Sequence, residues 1–250
     1  MARQRTPDGP PPPPPVQKLR IRYAKRGRLR FSSTRDFSRA LERALRRADI
    51  PMAYSAGFHP HPKISYANGA PTGTASEAEY FEISVAERVE PDDVRAALDD
   101  ALPEGIDIVT VIEAPPGALA DLLQASHWQI TLPGTTTEQI EPAISAFLAA
   151  EEVEVTRMFK RGPRTFDARG AVARLRVDED AETGCAILDM VVRHTTPAVR
   201  PDDVLSAIAA TAPFAPPVTP QVTRLAQGPW DDDTATVADP LASGITIVGP

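Results

Sequence analysis

From Val16 the chain alternates with a period of two. Leu19, Ile21 and Tyr23 fall between Lys18, Arg20 and Arg22, which predicts a strand with one apolar and one basic face. Lys25-Arg26-Gly27 turns or bulges the chain ahead of Leu29 and Phe31. The period then changes. Ser33-Thr34-Arg35-Asp36 has the form of a capping box, and Phe37, Ala40, Leu41, Ala44, Leu45 and Ala48 follow at helical spacing. A helix therefore opens at Ser33 with a continuous apolar stripe, and Pro51 ends it. Residues 52–54 and 63–67 predict a strand interrupted by a histidine–proline loop, and Asn68-Gly69 makes a turn. Phe81, Ile83 and Val85 alternate again. Pro91-Asp92-Asp93-Val94 starts a second helix, with proline at its first position and acids against the helix dipole. Val94, Ala97, Leu98, Ala101 and Leu102 form its apolar stripe, and residues 106–112 form a further strand.

This order is β-α-β-β-α-β, a split βαβ or ferredoxin-like unit, whose right-handed crossovers put both helices on one face of an antiparallel sheet. After a linker at 115–125 the order repeats. Trp128, Ile130 and Leu132 mark a strand, and Ile140, Ile144, Phe147 and Leu148 mark a helix that Pro142 either kinks or begins. Residues 153–159 form a strand, 160–170 a basic loop, and 171–177 with 186–192 a strand pair. Pro201-Asp202-Asp203-Val204 opens another helix, and 218–225 is the last strand. Pro-Asp-Asp-Val thus recurs 110 residues apart, which together with the matching element order predicts a duplication. The expected fold class is α+β, with two tandem ferredoxin-like (βαββαβ) units at 16–114 and 126–228. A disordered proline-rich leader at 1–15 and an acidic flexible tail at 229–250 flank them, with Ile245 to Val248 available as an edge strand. Loops 57–63 and 160–170 occupy equivalent places in the two halves. They border one cleft if the halves pack pseudo-symmetrically.

The 250 residues are 42% hydrophobic, enough for a substantial core, and no run of about eighteen apolar residues is present to span a membrane. The polar N-terminus lacks the apolar stretch of a secretory signal, and a single cysteine, Cys185, excludes an internal disulfide, so a cytoplasmic protein is expected. The net charge of -7 hides an asymmetry. Residues 16–63 carry 13 Lys or Arg against three acids, and residues 157–176 carry seven basic residues against Asp167 alone. Two basic islands on an acidic chain suggest local anion-binding surfaces, or else solvated faces balanced elsewhere in the fold.

The first helix concentrates Arg35, Arg39, Arg43, Arg46 and Arg47 on its polar face with Glu42 as the local counter-charge. Guanidinium groups match phosphates bidentately, so this face is either a phosphate grip or a solvated surface with i, i+4 pairing. The second island, with Arg157, Lys160, Arg161, Arg164 and Arg169, has the same two readings. Gly57-Phe58-His59-Pro60-His61-Pro62-Lys63 holds two of the four histidines. On an extended backbone His59 and His61 point the same way. They fit three roles: a pair of metal ligands lacking a third nearby, a general acid or base on an RNA 2′-hydroxyl, or a phosphate and base contact. A proline-stiffened loop whose rings bond to backbone is the structural alternative. His127, His194 and Cys185 read as structural.

The run Arg20-Ile21-Arg22-Tyr23-Ala24-Lys25-Arg26-Gly27-Arg28-Leu29-Arg30-Phe31-Ser32-Ser33, then Arg39-Ala40-Leu41-Glu42-Arg43-Ala44-Leu45, resembles the radical-SAM-linked protein family, a domain of unknown function. Gly57-Phe58-His59-Pro60-His61-Pro62-Lys63-Ile64-Ser65 and Gly73-Thr74-Ala75-Ser76-Glu77-Ala78-Glu79-Tyr80 extend the resemblance over roughly residues 16 to 225, and Phe166-Asp167-Ala168-Arg169 matches more loosely. The resemblance implies an accessory to a separately encoded radical-SAM enzyme, with RNA as a substrate, and supplies no catalytic residue. The iron–sulfur cluster and SAM are then expected on the partner, because such a cluster needs three clustered thiolates and this chain has one cysteine.

These readings give a substrate-binding or partner-docking subunit, not itself an enzyme, that contacts RNA phosphates through Arg20, Arg22, Arg39, Arg43, Lys63, Arg164 and Arg169. His59 and His61 stand at the centre, with no metal site. The alternatives are a metal-independent ribonuclease using His59 or His61, by analogy with other tandem ferredoxin-like nucleases, and a structural protein–protein adaptor.

Overall fold

The computed structural model describes residues 12–242, and the chain divides after Ala118 into two compact units. Residues 12–15 are exposed and carry no regular secondary structure; the rest of the expected leader lies outside the described residues. The fold is mixed α and β with mostly antiparallel pairing.

The first unit runs β1 (Gln17–Lys25), α1 (Thr34–Arg47), β2 (Ile64–Ala67), β3 (Ala75–Val85), α2 (Pro91–Ala101) and β4 (Ile106–Glu113), with a 3-10 turn at Gly27–Phe31. Its strands lie in the order β4-β1-β3-β2, each pair antiparallel. The alternation of β1 behaves as expected on one side. Leu19, Ile21 and Tyr23 join Phe81, Ile83 and Val85 from β3 in a core closed by Phe37, Leu41 and Leu45 of α1 and by Val94 and Leu98 of α2. Each fully buried aliphatic side chain here contributes about 1.5–3 kcal/mol. The capping box forms at Ser33 and Asp36, α2 begins at Pro91, and α1 stops before Asp49, whose φ of 54° lies in the left-handed region. The expected strand at 52–54 shrinks to isolated bridges, Met52 to Val85 and Tyr54 to Pro62. The latter closes a hairpin finger.

In the second unit, a short helix, α3 (Leu119–Leu122), precedes β5 (Ala125–Leu132) and α4 (Thr137–Ala149). Next come β6 (Glu154–Phe159), β7 (Gly162–Asp167), β8 (Val172–Glu179), β9 (Ala186–Arg193), α5 (Pro201–Thr211) and β10 (Gln221–Gly228). The main sheet has the order β10-β5-β9-β8, antiparallel throughout. Pro142 lies inside α4, which continues through it. The region read as a basic loop at 160–170 is mostly strand. β7 pairs with β6 in a separate two-stranded hairpin whose turn is only Lys160 and Arg161. Each unit therefore inserts a hairpin between a helix, α1 or α4, and the strand at the sheet edge, β2 or β8.

The expected flexible tail is partly ordered. A two-residue ladder joins β11 (Trp230–Asp231) to β12 (Thr236–Val237), and Leu241 is buried. The edge strand suggested at Ile245 to Val248 lies outside the described residues. Among the described residues, no helix is long and apolar enough to cross a membrane.

Candidate functional site

The capping box fixes where α1 starts and so which way its arginines face. Asp36 N–H donates to Ser33 Oγ at 3.2 Å, and the Ser33 hydroxyl donates to the Asp36 carboxylate at 2.6 Å, holding that carboxyl below the usual range. With Phe37, Leu41, Ala44 and Leu45 committed to the core, Arg35, Arg39, Arg43 and Arg46 all stand exposed. Arg35, Arg39 and Arg43 are each four residues apart, about 6 Å along the axis. That spacing is comparable to successive phosphates of an extended single strand. No ion pair to a described residue engages these side chains.

Beside α1 stands the finger. Ser55 N–H donates to His61 O at 2.9 Å and His61 N–H to Ser55 Oγ at 3.0 Å, while Gly57 takes a φ of 134° that few other residues adopt. Phe58, His59 and His61 are exposed at its tip, and neither imidazole hydrogen-bonds to a described residue. Lys63 is half-buried at the root, where its N–H donates to Ala53 O at 2.8 Å. A shallow hollow of about 20 Å³ is lined by Glu42, Leu45 and Arg46 of α1 and by Met52, Tyr54 and Pro62 at this root. Arg39, Arg43, His59, His61 and Lys63 thus all lie in the first unit, where the last turns of α1, at Glu42, Leu45 and Arg46, meet the finger root at Tyr54 and Pro62.

Arg20 and Arg22 do not. They point from the sheet face opposite α1, because they alternate with the core residues Leu19, Ile21 and Tyr23. Arg20 is 1% exposed. Its Nε donates to Glu82 at 2.8 Å and its Nη2 to Gly117 O at 2.5 Å, with Lys18 closing on the same carboxylate. A phosphate cannot reach it. Arg22 is half-buried and donates to Glu77 O at 2.8 Å.

The second unit separates its predicted residues in the same manner. Arg164 is exposed on the β6–β7 hairpin, its guanidinium 5.3 Å from the Phe159 ring. Arg157, on the same hairpin face, is locked to Asp203 and donates to Ala198 O at 2.9 Å. Arg169 is structural. It donates to Leu148 O at 3.3 Å, a terminal carbonyl of α4, and to Val172 O at 3.2 Å. The surrounding Phe166-Asp167-Ala168-Arg169 is a chain-reversing knot: Phe166 is buried, and the Asp167 carboxylate accepts from Val153, Arg169 and Gly170 N–H at 3.0, 2.8 and 2.8 Å. A Cβ on Gly170 would lie 2.4 Å from Asp167 Oδ2, so a side chain there would push that carboxylate out of its hydrogen bonds.

His127 and His194 sit in polar clusters of the same unit. His127 Nε2 is 2.5 Å from Asp189, which also accepts from Arg174 at 2.8 Å; burial pushes the Asp189 carboxyl up, and these two partners outweigh it to bring it down. His194 Nδ1 donates to Leu123 O at 2.6 Å, leaving Nε2 to accept from the Ser126 hydroxyl at 2.8 Å. Burial lowers its pKa. Among the described residues no group of three or more His, Cys, Asp or Glu is arranged to hold a metal ion.

A family model described as "Uncharacterized protein conserved in bacteria (DUF2344)" matches residues 18–201. The chain belongs to the DUF2344 family. No curated protein matches it. Among solved structures it is similar to a chain in "Crystal Structure of a Cbf5-Nop10-Gar1 Complex", at 12% identity and a TM-score of 0.42 over 88% of this chain. It spans about half of that protein, 54%.

The DUF2344 match takes in the arginine face of α1, the finger, the β6–β7 hairpin and a second hollow. That hollow is small, about 40 Å³ and partly open to solvent, and lies at the start of α1 among Tyr23, Lys25, Ser33, Phe37, Tyr66 and Glu79. A local signal marks it. Each central strand runs a buried apolar row, Leu19-Ile21-Tyr23 and Val85-Ile83-Phe81, straight into a charged residue, Lys25 or Glu79.

Proposed function

We propose that this DUF2344 protein is a cytoplasmic accessory subunit that binds RNA and presents it to a separately encoded radical-SAM enzyme. The phosphates lie along Arg35, Arg39 and Arg43 of α1, and Phe58, His59 and His61 of the finger contact bases or phosphates at one end of that row. The observation that carries the reading is the exposed, evenly spaced arginine face without carboxylate partners among the described residues, next to exposed aromatic rings. Such pairing of cations with ring faces suits a flexible polyanion whose bases are unstacked. The partner carries the iron–sulfur cluster and SAM, since one cysteine cannot ligate a cluster. In the same reading each unit is a ferredoxin-like fold, supported by the shared orders β4-β1-β3-β2 and β10-β5-β9-β8.

Binding of single-stranded RNA measured against salt tests the proposal. The expected result is an affinity that falls linearly on a log–log plot, with a slope about two units shallower in the Arg39→Gln/Arg43→Gln variant. Isolation of the protein from its native cell should bring an iron–sulfur enzyme with it. No RNA binding at low salt would reject the reading. RNA cleavage lost on His59→Ala or His61→Ala would make the protein a ribonuclease instead.

A further inference from the structure

Four aromatic side chains stand exposed among the described residues, and all four fall between positions 31 and 66. They are Phe31 and Phe58, each 59% exposed, with Tyr54 at 41% and Tyr66 at 38%. Single exposed apolar groups are ordinary on a protein surface. Four gathered in one stretch of the first unit, while every ring of the second unit is at least partly covered, point to a use for them.

The fold sets these rings along one edge. β2 is the strand at that edge, and Tyr66 lies on it opposite Phe81 of β3. Tyr66 faces α1. Its ring stands edge-on to Phe37 at 6.1 Å, and its hydroxyl meets that of Ser38, which lies between Arg35 and Arg39. Phe31 comes just before the first turn of α1. Gly73 N–H donates to Arg30 O at 2.8 Å, and the Phe31 ring rests over Gly73, where a Cβ would lie 3.8 Å from it. Phe58 and Tyr54 belong to the finger, whose root meets the last turns of α1. The strand register agrees. Met52 at the finger root bridges to Val85, the last residue of β3, whereas Gly73 precedes its first, Ala75.

The rings therefore run from one end of α1 to the other, alongside Arg35, Arg39 and Arg43. The first of them is already matched with a cation, since the Arg30 guanidinium lies 4.8 Å from the Phe31 centroid. Guanidinium planes take a stacked base as aromatic rings do. The 14 residues of α1 extend about 21 Å, room for about four nucleotides at the spacing of the arginines.

We propose that this edge is a stacking track for an unpaired RNA segment, with phosphates on the arginine row and successive bases on Phe31, Tyr66 and Phe58. The inference rests on the RNA-binding reading and adds to it the state of the RNA and the rings that hold it. Bases of a duplex are already stacked on one another, so a duplex offers phosphates to the arginines and leaves the rings uncovered. Every base has a flat face, so the track tolerates sequence.

Fluorescence anisotropy compares single strands of two, four and twelve nucleotides with the dodecamer annealed to its complement. Affinity is expected to rise about tenfold or more from two to four nucleotides, and the single-stranded dodecamer to bind about tenfold tighter than the duplex. Phe31→Ala and Tyr66→Leu each lose about tenfold on the single strand at an unchanged salt slope, because the phosphate contacts remain. Tyr66→Phe keeps the ring and keeps the affinity. Thermal melts check that each variant is folded at the assay temperature. Duplex binding as tight as the single strand, or ring variants that bind like the wild type, would overturn the track and leave the arginine row standing. Ring variants that bind RNA normally but no longer bring the iron–sulfur enzyme from the cell would overturn it in favour of a protein contact. Absence of RNA binding by the wild type would remove both readings.

Discussion

Arg20 separates what a residue type suggests from what its surroundings permit. As one of a run of basic residues on a strand it has the look of a phosphate contact, yet its guanidinium is enclosed with Glu82 and a backbone carbonyl. Breaking a buried pair from one side leaves a charge without compensation, a loss of about 3–5 kcal/mol. Arg20→Leu should therefore lower the melting temperature sharply. The Arg20→Leu/Glu82→Leu double variant should recover much of the loss, because an apolar pair of similar size replaces the ions without stranding either. Thermal melting of the three proteins checks this. A double variant no better than the single one would mean that the pair does not act as a unit. Arg39 and Arg43 differ from Arg20 in position alone, since a helix surface leaves them in water.

At the scale of the element, α1 is the piece on which the arginine row, the hollow and the finger root all depend. Its register is set by Ser33, so Ser33→Ala should cost about 1 kcal/mol. The measurement is the denaturant midpoint at unchanged m-value, and an unshifted midpoint would mean that packing alone fixes where the helix begins. This helix was legible in the sequence because its signals are local: a cap, a stripe at 3.6-residue spacing, a proline after the end. The same holds for α2 and α5, each announced by Pro-Asp-Asp-Val. The β6–β7 hairpin was not legible in full. Gly162 and Pro163 interrupt β7 with turn-like residues, and among the described residues its strand partner is β6 alone, so no alternating apolar row betrays it. The burial of Arg20 was hidden because its partner is 62 residues away. Lys25 and Glu79 leave a readable mark in the sequence, where each apolar row ends on a charge.

The whole chain is acidic, yet its response to mild acid should be governed by a histidine. In its neutral form His194 donates from Nδ1 to Leu123 O and accepts the Ser126 hydroxyl at Nε2. Protonation turns that acceptor into a donor facing another hydroxyl, in a site where burial disfavours the charge and Arg224 adds repulsion. The folded pKa is thus below the ordinary 6.5, and at intermediate pH the unfolded chain binds more protons than the folded one. Stability is therefore full above about 6.5, falls as pH drops through that value, and stops falling from this source below the folded pKa. The carboxyl of Asp189, also lowered, acts in a separate window beneath its ordinary 3.8. Thermal melts between pH 8 and pH 5 should show the decline in the wild-type protein. His194→Gln should melt lower at pH 8 but with a flatter profile, since glutamine keeps a donor and an acceptor and cannot titrate. A variant profile as steep as the wild-type one would place the acid sensitivity elsewhere in the chain.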